Sequence, residues 1–240
     1  TRYPGCIGAF IAEMDYGLAP CIQEAIDNAC DHCKLGYIPE PWKQRVAAAC
    51  AGWQRSHYGW DVDPSIIRVV PDVLEAYEIF LRELVGAGNS VIVPTPAYMP
   101  FLSVPKLYDV DVIEIEMLQS GDAETGEAQW VFDFDAIERA FAAGCHAFVL
   151  CNPHNPIGKV LTLEEELRLS DLAAQYDVRI FNDEIHAPFV FEGKHIPFPT
   201  ISEQAALQSM TATSASKSFN IPGTKCAQAV SYTHLRAHET

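Results

Sequence analysis

The chain has 240 residues, 49% of them hydrophobic, and its 32 acidic and 16 basic residues give a net charge of −16. This acidic balance disfavours binding to a phosphate backbone, so we expect no nucleic-acid partner. Every apolar run is shorter than the roughly 18 residues that a membrane-spanning helix needs, so we also expect no membrane segment.

Residues 1–63 are rich in Trp, Tyr, His and Pro, and we expect them to form an N-terminal arm or part of a smaller domain. Within them Cys30 and Cys33 have CxxC spacing. Because Ile22 and Ile26 recur with both thiols at helical spacing, we expect a buried stripe and no metal site. The eight cysteines of the chain are scattered without the density of a disulfide framework, which favours a reduced, cytoplasmic setting.

Strand-like and helical patterns alternate over residues 64–230, which we interpret as one ligand-binding domain. This alternation is typical of an α/β fold with three layers, in which helices flank a mainly parallel sheet. Thr162 and Glu165 have the spacing of a capping box at a helix start. The predicted strands are 65–70, 90–93, 110–115, 147–151, 178–182 and 208–213, and the predicted helices are 73–85, 134–143 and 163–176.

Asn155, Asp183 and Lys217 all follow predicted strands. Open α/β sheets bind ligands at the carboxyl ends of their strands, so we expect these residues to converge. A lysine can form a Schiff base, an acid can protonate a pyridine nitrogen, and an asparagine can donate to a phenolate oxygen. Together they predict a site for pyridoxal 5'-phosphate (PLP).

The motifs resemble the fold-type I PLP enzymes, and within them the MalY/PatB-type cystathionine beta-lyases of the class I/II aminotransferase superfamily. The most specific strings are Asn-Pro-His-Asn-Pro at 152–156 and Asp-Glu-Ile-His at 183–186, and further matches lie at 11–16, 36–37, 95–98 and 216–223. The resemblance stops near residue 230. We therefore expect the small C-terminal domain, which carries the arginine for the substrate carboxylate, to be missing, and residues 231–240 to be a non-native tail.

The resemblance implies a role for each site residue. Lys217 would form the Schiff base and move the proton at the substrate's Cα, and Asp183 would keep the pyridine nitrogen protonated. Asn155 would donate to the phenolate oxygen, and Tyr98 would stack on the ring. His186 would join the network around the phenolate oxygen, although a purely structural histidine is an open alternative.

The resemblance also implies a phosphate site made by Ser214, Lys225 and the backbone N–H groups of Val73 and Leu74. A helix N-terminus suits a dianion. Asp72 could cap the same helix and compete with the phosphate for these N–H groups. We expect Asp72 to point away, so that only the backbone serves the phosphate.

The implied activity is that of a carbon–sulfur lyase, which converts cystathionine or a cysteine conjugate to a thiol, pyruvate and ammonia. An aminotransferase would use the same lysine, acid and asparagine and is the first alternative. A regulatory protein that keeps PLP but binds a partner is the second. Tyr37 resembles a tyrosine that reaches the phosphate from the neighbouring subunit, so the resemblance also implies a homodimer acting on a small amino acid.

Overall fold

The computed structural model describes residues 3–7, 11–32, 34, 36–121 and 128–232. Among these residues no helix is long and apolar enough to cross a membrane. Residues 233–240 of the expected tail and Cys33 of the CxxC pair lie outside the described residues.

Two helices precede the sheet, α1 at Pro20–Asp31 and α2 at Glu40–Tyr58. Helix α2 ends at Gly59, whose φ of 73° is a left-handed conformation that glycine adopts at little cost. Helix α1 contains no buried residue, and Cys30 is exposed. The expected buried position of Cys30 is therefore wrong, because only the half-buried residues of α1, such as Ile22 and Ile26, face the rest of the chain.

The main sheet has seven strands in the order β1, β9, β8, β7, β6, β2, β3. Strands β8, β7, β6, β2 and β3 run parallel, and β9 is antiparallel to both of its neighbours. A short antiparallel hairpin, β4 with β5, stands apart. The strands are Ile67–Val70 (β1), Ser90–Thr95 (β2), Asp111–Glu116 (β3), Leu118–Ser120 (β4), Gln129–Val131 (β5), Ala147–Cys151 (β6), Arg179–Asp183 (β7), Ser209–Thr213 (β8) and Ala227–Ser231 (β9).

Except for Met99–Ser103, which has no side-chain cap, the helices that cover the sheet begin at polar caps. Asp72, Asp133, Thr162 and Ser202 each accept a hydrogen bond from a backbone N–H in the first turn. Thr162 and Glu165 form the predicted capping box. The predicted helix 73–85 is regular only to Phe80 and continues as a π-helical turn. These helices are Val73–Phe80 (α3), Met99–Ser103 (α4), Phe134–Ala142 (α5), Leu163–Gln175 (α6) and Glu203–Gln208 (α7).

The sheet separates two hydrophobic cores. Because side chains alternate along a strand, Phe181 packs with α3 and α4 on one side, which we call the α3 face. Ile180 packs with α5 and α6 on the other, the α6 face. The predicted three-layer α/β fold is thus confirmed. Alternation directs Asp183 to the α3 face, and Asn182 and Glu184 to the α6 face.

Candidate active site

Asp183 is the last residue of β7 and lies between Cys151 of β6 and Ala212 of β8. The residue is 5% exposed. Within the described residues its carboxylate receives one hydrogen bond, from the Ile185 N–H to Oδ1 at 3.0 Å. Burial raises the pKa of Asp183 to about 7, because this N–H and the charge of Lys217 offset the cost of burial only in part and the charge of Glu184 adds to it.

Lys217 is half-buried in the loop that follows β8. Its Nζ donates to the carbonyl oxygen of Ala12 at 3.3 Å. Burial lowers the pKa of His186, and the positive charge of Lys217 lowers it further. The same charge also acts on Asp183, so the ammonium group of Lys217 lies within electrostatic range of both the acid and the histidine.

The N-terminal segment around Met14 lies against the lysine loop. The Asn220 side chain accepts from the Met14 N–H at 3.1 Å and donates to the Met14 and Tyr16 carbonyl oxygens at 3.0 and 3.3 Å. Together with the Ala12 contact, these bonds place residues 12–16 beside Lys217. The sequence comparison with the family matched this segment but did not indicate where it would lie.

Tyr98 begins α4 and packs its ring edge-on against Phe101, with ring centroids 5.6 Å apart. The residue is 40% exposed, so part of its ring is open to a ligand. Burial raises the pKa of Tyr98, and the negative charges of Asp183 and Asp72 raise it further. Tyr98 therefore lies within electrostatic range of both Asp183, the expected ring-nitrogen acid, and Asp72 at the expected phosphate site.

The Asn-Pro-His-Asn-Pro loop follows β6. His154 is 3% exposed, and its Nε2 lies 2.9 Å from the carbonyl oxygen of Pro96. This contact ties the loop to the segment that carries Tyr98. Asn155 is half-buried, and its N–H donates to the Cys151 Sγ at 3.5 Å. His154 thus acts structurally, while Asn155 stands at the same sheet edge as Asp183.

The helix start at Asp72 is already capped. Asp72 Oδ1 accepts from the Glu75 N–H at 2.9 Å, and Oδ2 contacts the ammonium group of Lys225. Burial alone would raise the pKa of Asp72, but the hydrogen bond from Lys225, the N–H groups of Glu75 and Leu74, and the Lys225 charge outweigh it and lower that pKa. The expectation that Asp72 points away is therefore wrong, because it is the N-cap of α3.

Ser214 directly follows β8 and is 6% exposed. Its Oγ donates to the Cys226 carbonyl oxygen at 2.8 Å and accepts from the Ser216 N–H at 3.0 Å. These bonds join the end of β8 to the turn that holds Lys225. Tyr37, by contrast, is fully exposed, and this single chain does not bring it to the other predicted residues.

These residues fit PLP in their donors and acceptors. Asp183 is buried and keeps an oxygen free for a ring N–H, and an ammonium group lies near it. Lys225 and Ser214 border the α3 helix start, where a phosphate is favoured. The sequence analysis missed the Asp72 contact with Lys225 and a buried Glu184 contact with His195. Asp72 had the pattern of an N-cap, whereas no short-range pattern marked His195.

Comparisons with known proteins identify the family of this chain. The chain belongs to the aminotransferase class I and II family, whose sequence model matches residues 13–238. The family predicted from the motifs is thereby confirmed.

Several relatives carry lyase names. The chain is 36% identical over 229 residues to cystathionine beta-lyase of Corynebacterium glutamicum, covering 95% of this chain and 58% of that protein. It is 32% identical to protein MalY of Escherichia coli, covering 88% of this chain and 52% of MalY. A solved structure from Corynebacterium diphtheriae, assigned as a PLP-dependent beta-cystathionase, superposes with a TM-score of 0.86 at 36% identity, covering 96% of this chain and 58% of that one. The chain thus spans about half the length of these relatives.

Proposed function

We propose that the full-length gene product is a PLP-dependent carbon–sulfur lyase. It would convert cystathionine or a cysteine conjugate, with one water, to a thiol, pyruvate and ammonia. The observation that carries this proposal is the buried carboxylate of Asp183 at the carboxyl end of β7, which lies within range of the Lys217 charge. The lyase names of the relatives at 31–36% identity support this choice within the family.

Each residue of the site has a part in holding the cofactor. Lys217 would bond to it covalently, Asp183 would face its ring nitrogen, and Asn155 and His186 would lie at its phenolate oxygen. Tyr98 would cover the ring. The phosphate would be held by Ser214, Lys225 and the backbone N–H groups of Val73 and Leu74. When bound, PLP stabilises negative charge at the substrate's Cα.

The chemistry of this chain is proton transfer and orientation. Lys217, once its amine is free, takes the proton from the substrate's Cα. Asp183 would accept a hydrogen bond from the protonated ring nitrogen as a carboxylate, and its burial would strengthen that bond between opposite charges. Tyr98 would shield one face of the cofactor ring from water. The leaving thiolate departs from Cβ, which distinguishes this reaction from amino transfer.

We further propose a homodimer in the cytoplasm. Tyr37 is fully exposed and is accompanied by the exposed Ile38 and Trp42. Such a patch suits burial against a second copy. Tyr37 would then reach the phosphate of the neighbouring subunit's cofactor. Equilibrium sedimentation of the wild type tests the dimer, and a monomer would contradict it. PLP binding of the wild type and of a Tyr37→Phe variant tests the phosphate contact, and unchanged binding would contradict it.

The decisive test is a pyruvate assay on the full-length gene product with L-cystathionine and PLP. Lysine-dependent release of pyruvate is expected, with loss of activity in Lys217→Ala and full activity in Lys106→Ala, since Lys106 is an exposed lysine away from the site. Conversion of an added keto acid to its amino acid, without pyruvate, would instead indicate an aminotransferase, which the family match supports. PLP binding with neither activity would favour a regulatory protein.

A further inference from the structure

We propose that Glu184 and His195 form a positioning pair that holds Asp183 toward the cofactor site. The inference rests on the proposed function, since it concerns how the chain binds PLP. Glu184 directly follows Asp183, and His195 lies in the loop after the short helical turn Ala187–Phe189. Neither residue would touch the cofactor, so neither is a catalytic residue.

The pair is fully buried on the α6 face. His195 Nε2 lies 3.2 Å from Glu184 Oε2, and their side chains are 0% and 1% exposed. The two atoms are in contact but not in hydrogen-bond geometry, and neither has a hydrogen-bond partner among the described residues. Burying a carboxylate is costly unless it is paired and hydrogen-bonded. Because the Glu184 carboxylate and the His195 ring are both removed from water, the positions of the two side chains have to be closely fixed.

The hydrogen bonds of Glu184 are made by its other oxygen, Oε1. Oε1 accepts from Asn182 Nδ2 at 2.7 Å and from the Phe198 N–H at 2.9 Å. Asn182 Nδ2 also donates to Thr211 Oγ1 of β8 at 3.2 Å. Glu184 is thus fixed from its own strand, from the neighbouring strand and from the loop that carries His195.

Backbone hydrogen bonds hold the end of β7 on both sides of Asp183. The Glu184 N–H donates to the Ala212 carbonyl oxygen at 2.9 Å, and the Asp183 carbonyl oxygen accepts from the Asn152 N–H at 3.0 Å. Adjacent side chains of a strand project to opposite faces. With Glu184 held on the α6 face, Asp183 projects to the α3 face, where Tyr98 packs against Phe101.

The position of the Asp183 carboxylate is fixed by the backbone of the strand end more than by hydrogen bonds to the carboxylate itself. Among the described residues it receives the single hydrogen bond from Ile185, which lies on the same short loop. If the Glu184 side chain were removed, the Phe198 N–H and Asn182 Nδ2 would lose their bonds to it, and the strand end would be held by its backbone bonds and by the Asn182 bond to Thr211. The position of Asp183 would then become variable, and a bond to a ring nitrogen requires a fixed donor–acceptor distance.

Further groups surround the pair. The Tyr58 ring of α2 meets the His195 ring edge-on, with centroids 5.1 Å apart. Glu166 of α6 accepts from Asn152 Nδ2 at 2.7 Å, and burial together with the Glu184 charge raises the pKa of Glu166 to about 8. The Glu184 charge also contributes to the raised pKa of Cys50 in α2. The pair therefore connects α2 and α6 with the end of β7.

The test measures PLP affinity of the full-length apoprotein by titrating cofactor absorbance, beside thermal unfolding and steady-state kinetics. Glu184→Ala and His195→Ala are each expected to weaken PLP binding of the folded fraction by about tenfold or more, and to lower kcat more than they raise KM. The double variant is expected to bind PLP as tightly as the weaker-binding of the two single variants, because both substitutions remove the same contact. Glu184→Gln keeps an acceptor for the Phe198 N–H, so it should stay within about threefold of wild type.

Gln208→Ala is the matched control. Gln208 is 4% exposed and donates to the Ser170 carbonyl oxygen and Oγ at 3.1 and 3.2 Å, so it loses a buried polar contact on the same face. It is expected to lower thermal stability while leaving PLP affinity unchanged.

The proposal is overturned if the alanine variants lose stability but bind PLP as tightly as wild type, or if Gln208→Ala weakens PLP binding equally. Where an alanine variant yields no folded protein, His195→Phe is judged by the same criterion, since it keeps a ring against Tyr58 without a nitrogen to contact Glu184. Failure of the wild type itself to bind PLP would reject the proposed function instead.

Discussion

The carboxylate of Asp72 caps helix α3 with one oxygen and contacts the ammonium group of Lys225 with the other. These two residues are 153 positions apart in the chain. Their contact brings a cation and a capped helix start to one place beside Tyr98. Asp72 thus occupies part of the surface where we propose the cofactor phosphate to bind, and Lys225 would have to serve both anions.

Lys225→Met is expected to weaken PLP binding by about 10- to 100-fold, since a hydrogen bond to a charged group contributes about 1.5–3 kcal/mol. Binding of pyridoxal, which lacks the phosphate, should change little. The measurement is a titration of the apoprotein with each compound, with Lys106→Met as the control for loss of a surface charge. Equal loss for both compounds would show that Lys225 acts on the fold and not on the phosphate.

Asp72→Asn is expected to keep the cap of α3, because the amide oxygen can still accept from the Glu75 N–H. It is also expected to tighten PLP binding by about two- to tenfold, because a negative charge near the phosphate is removed. Asp72→Ala should lower the free energy of unfolding by about 1 kcal/mol. Urea denaturation and PLP titration check the two effects. Weaker PLP binding in Asp72→Asn would mean that the carboxylate orients Lys225 for the phosphate.

Asp183 is expected to make the apoprotein less stable as pH rises. Its pKa is about 7 in the fold against about 3.9 in an unfolded chain. Between these values the folded state binds more protons than the unfolded state, so stability falls with rising pH. Relative to Asp183→Asn, the wild-type apoprotein should lose about 3 kcal/mol of unfolding free energy from pH 5 to pH 8.

Urea denaturation of both apoproteins at the two pH values gives this difference directly. Glu166 also has a raised pKa, but it is present in both proteins and cancels in the comparison. A gap that does not change with pH would contradict the buried, proton-binding state of Asp183. Asp183→Asn should also lose lyase activity, since its amide cannot hold the ring nitrogen's proton as a carboxylate does.

Thr162→Ala removes the side chain that accepts from the Glu165 N–H at 3.2 Å at the start of α6. The expected loss is about 1 kcal/mol of unfolding free energy. Thr162→Ser keeps the hydroxyl and should lose much less. Denaturation curves of the three proteins measure this, and equal losses in both variants would indicate that the methyl group, not the cap, contributes the stability.

The sequence alone determined those features that depend on neighbours along the chain. Ala147–Cys151 was predicted with its observed bounds, because a short apolar run between turn residues favours a buried strand. The capping box at Thr162 was predicted for a similar reason, since three residues of spacing suffice to form it. The family could also be recognised from the sequence, because the motifs at 152–156 and 183–186 are each formed by consecutive residues.

Only the tertiary structure decided the features that depend on distant contacts. Strand β9, Ala227–Ser231, has little β-propensity of its own and forms because β1 and β8 supply hydrogen-bond partners on both of its edges. The contact between Asp72 and Lys225, and that between Glu184 and His195, join residues from separate elements. Local patterns do not encode such pairs, because which side chains meet is determined by strand order and by packing across the sheet.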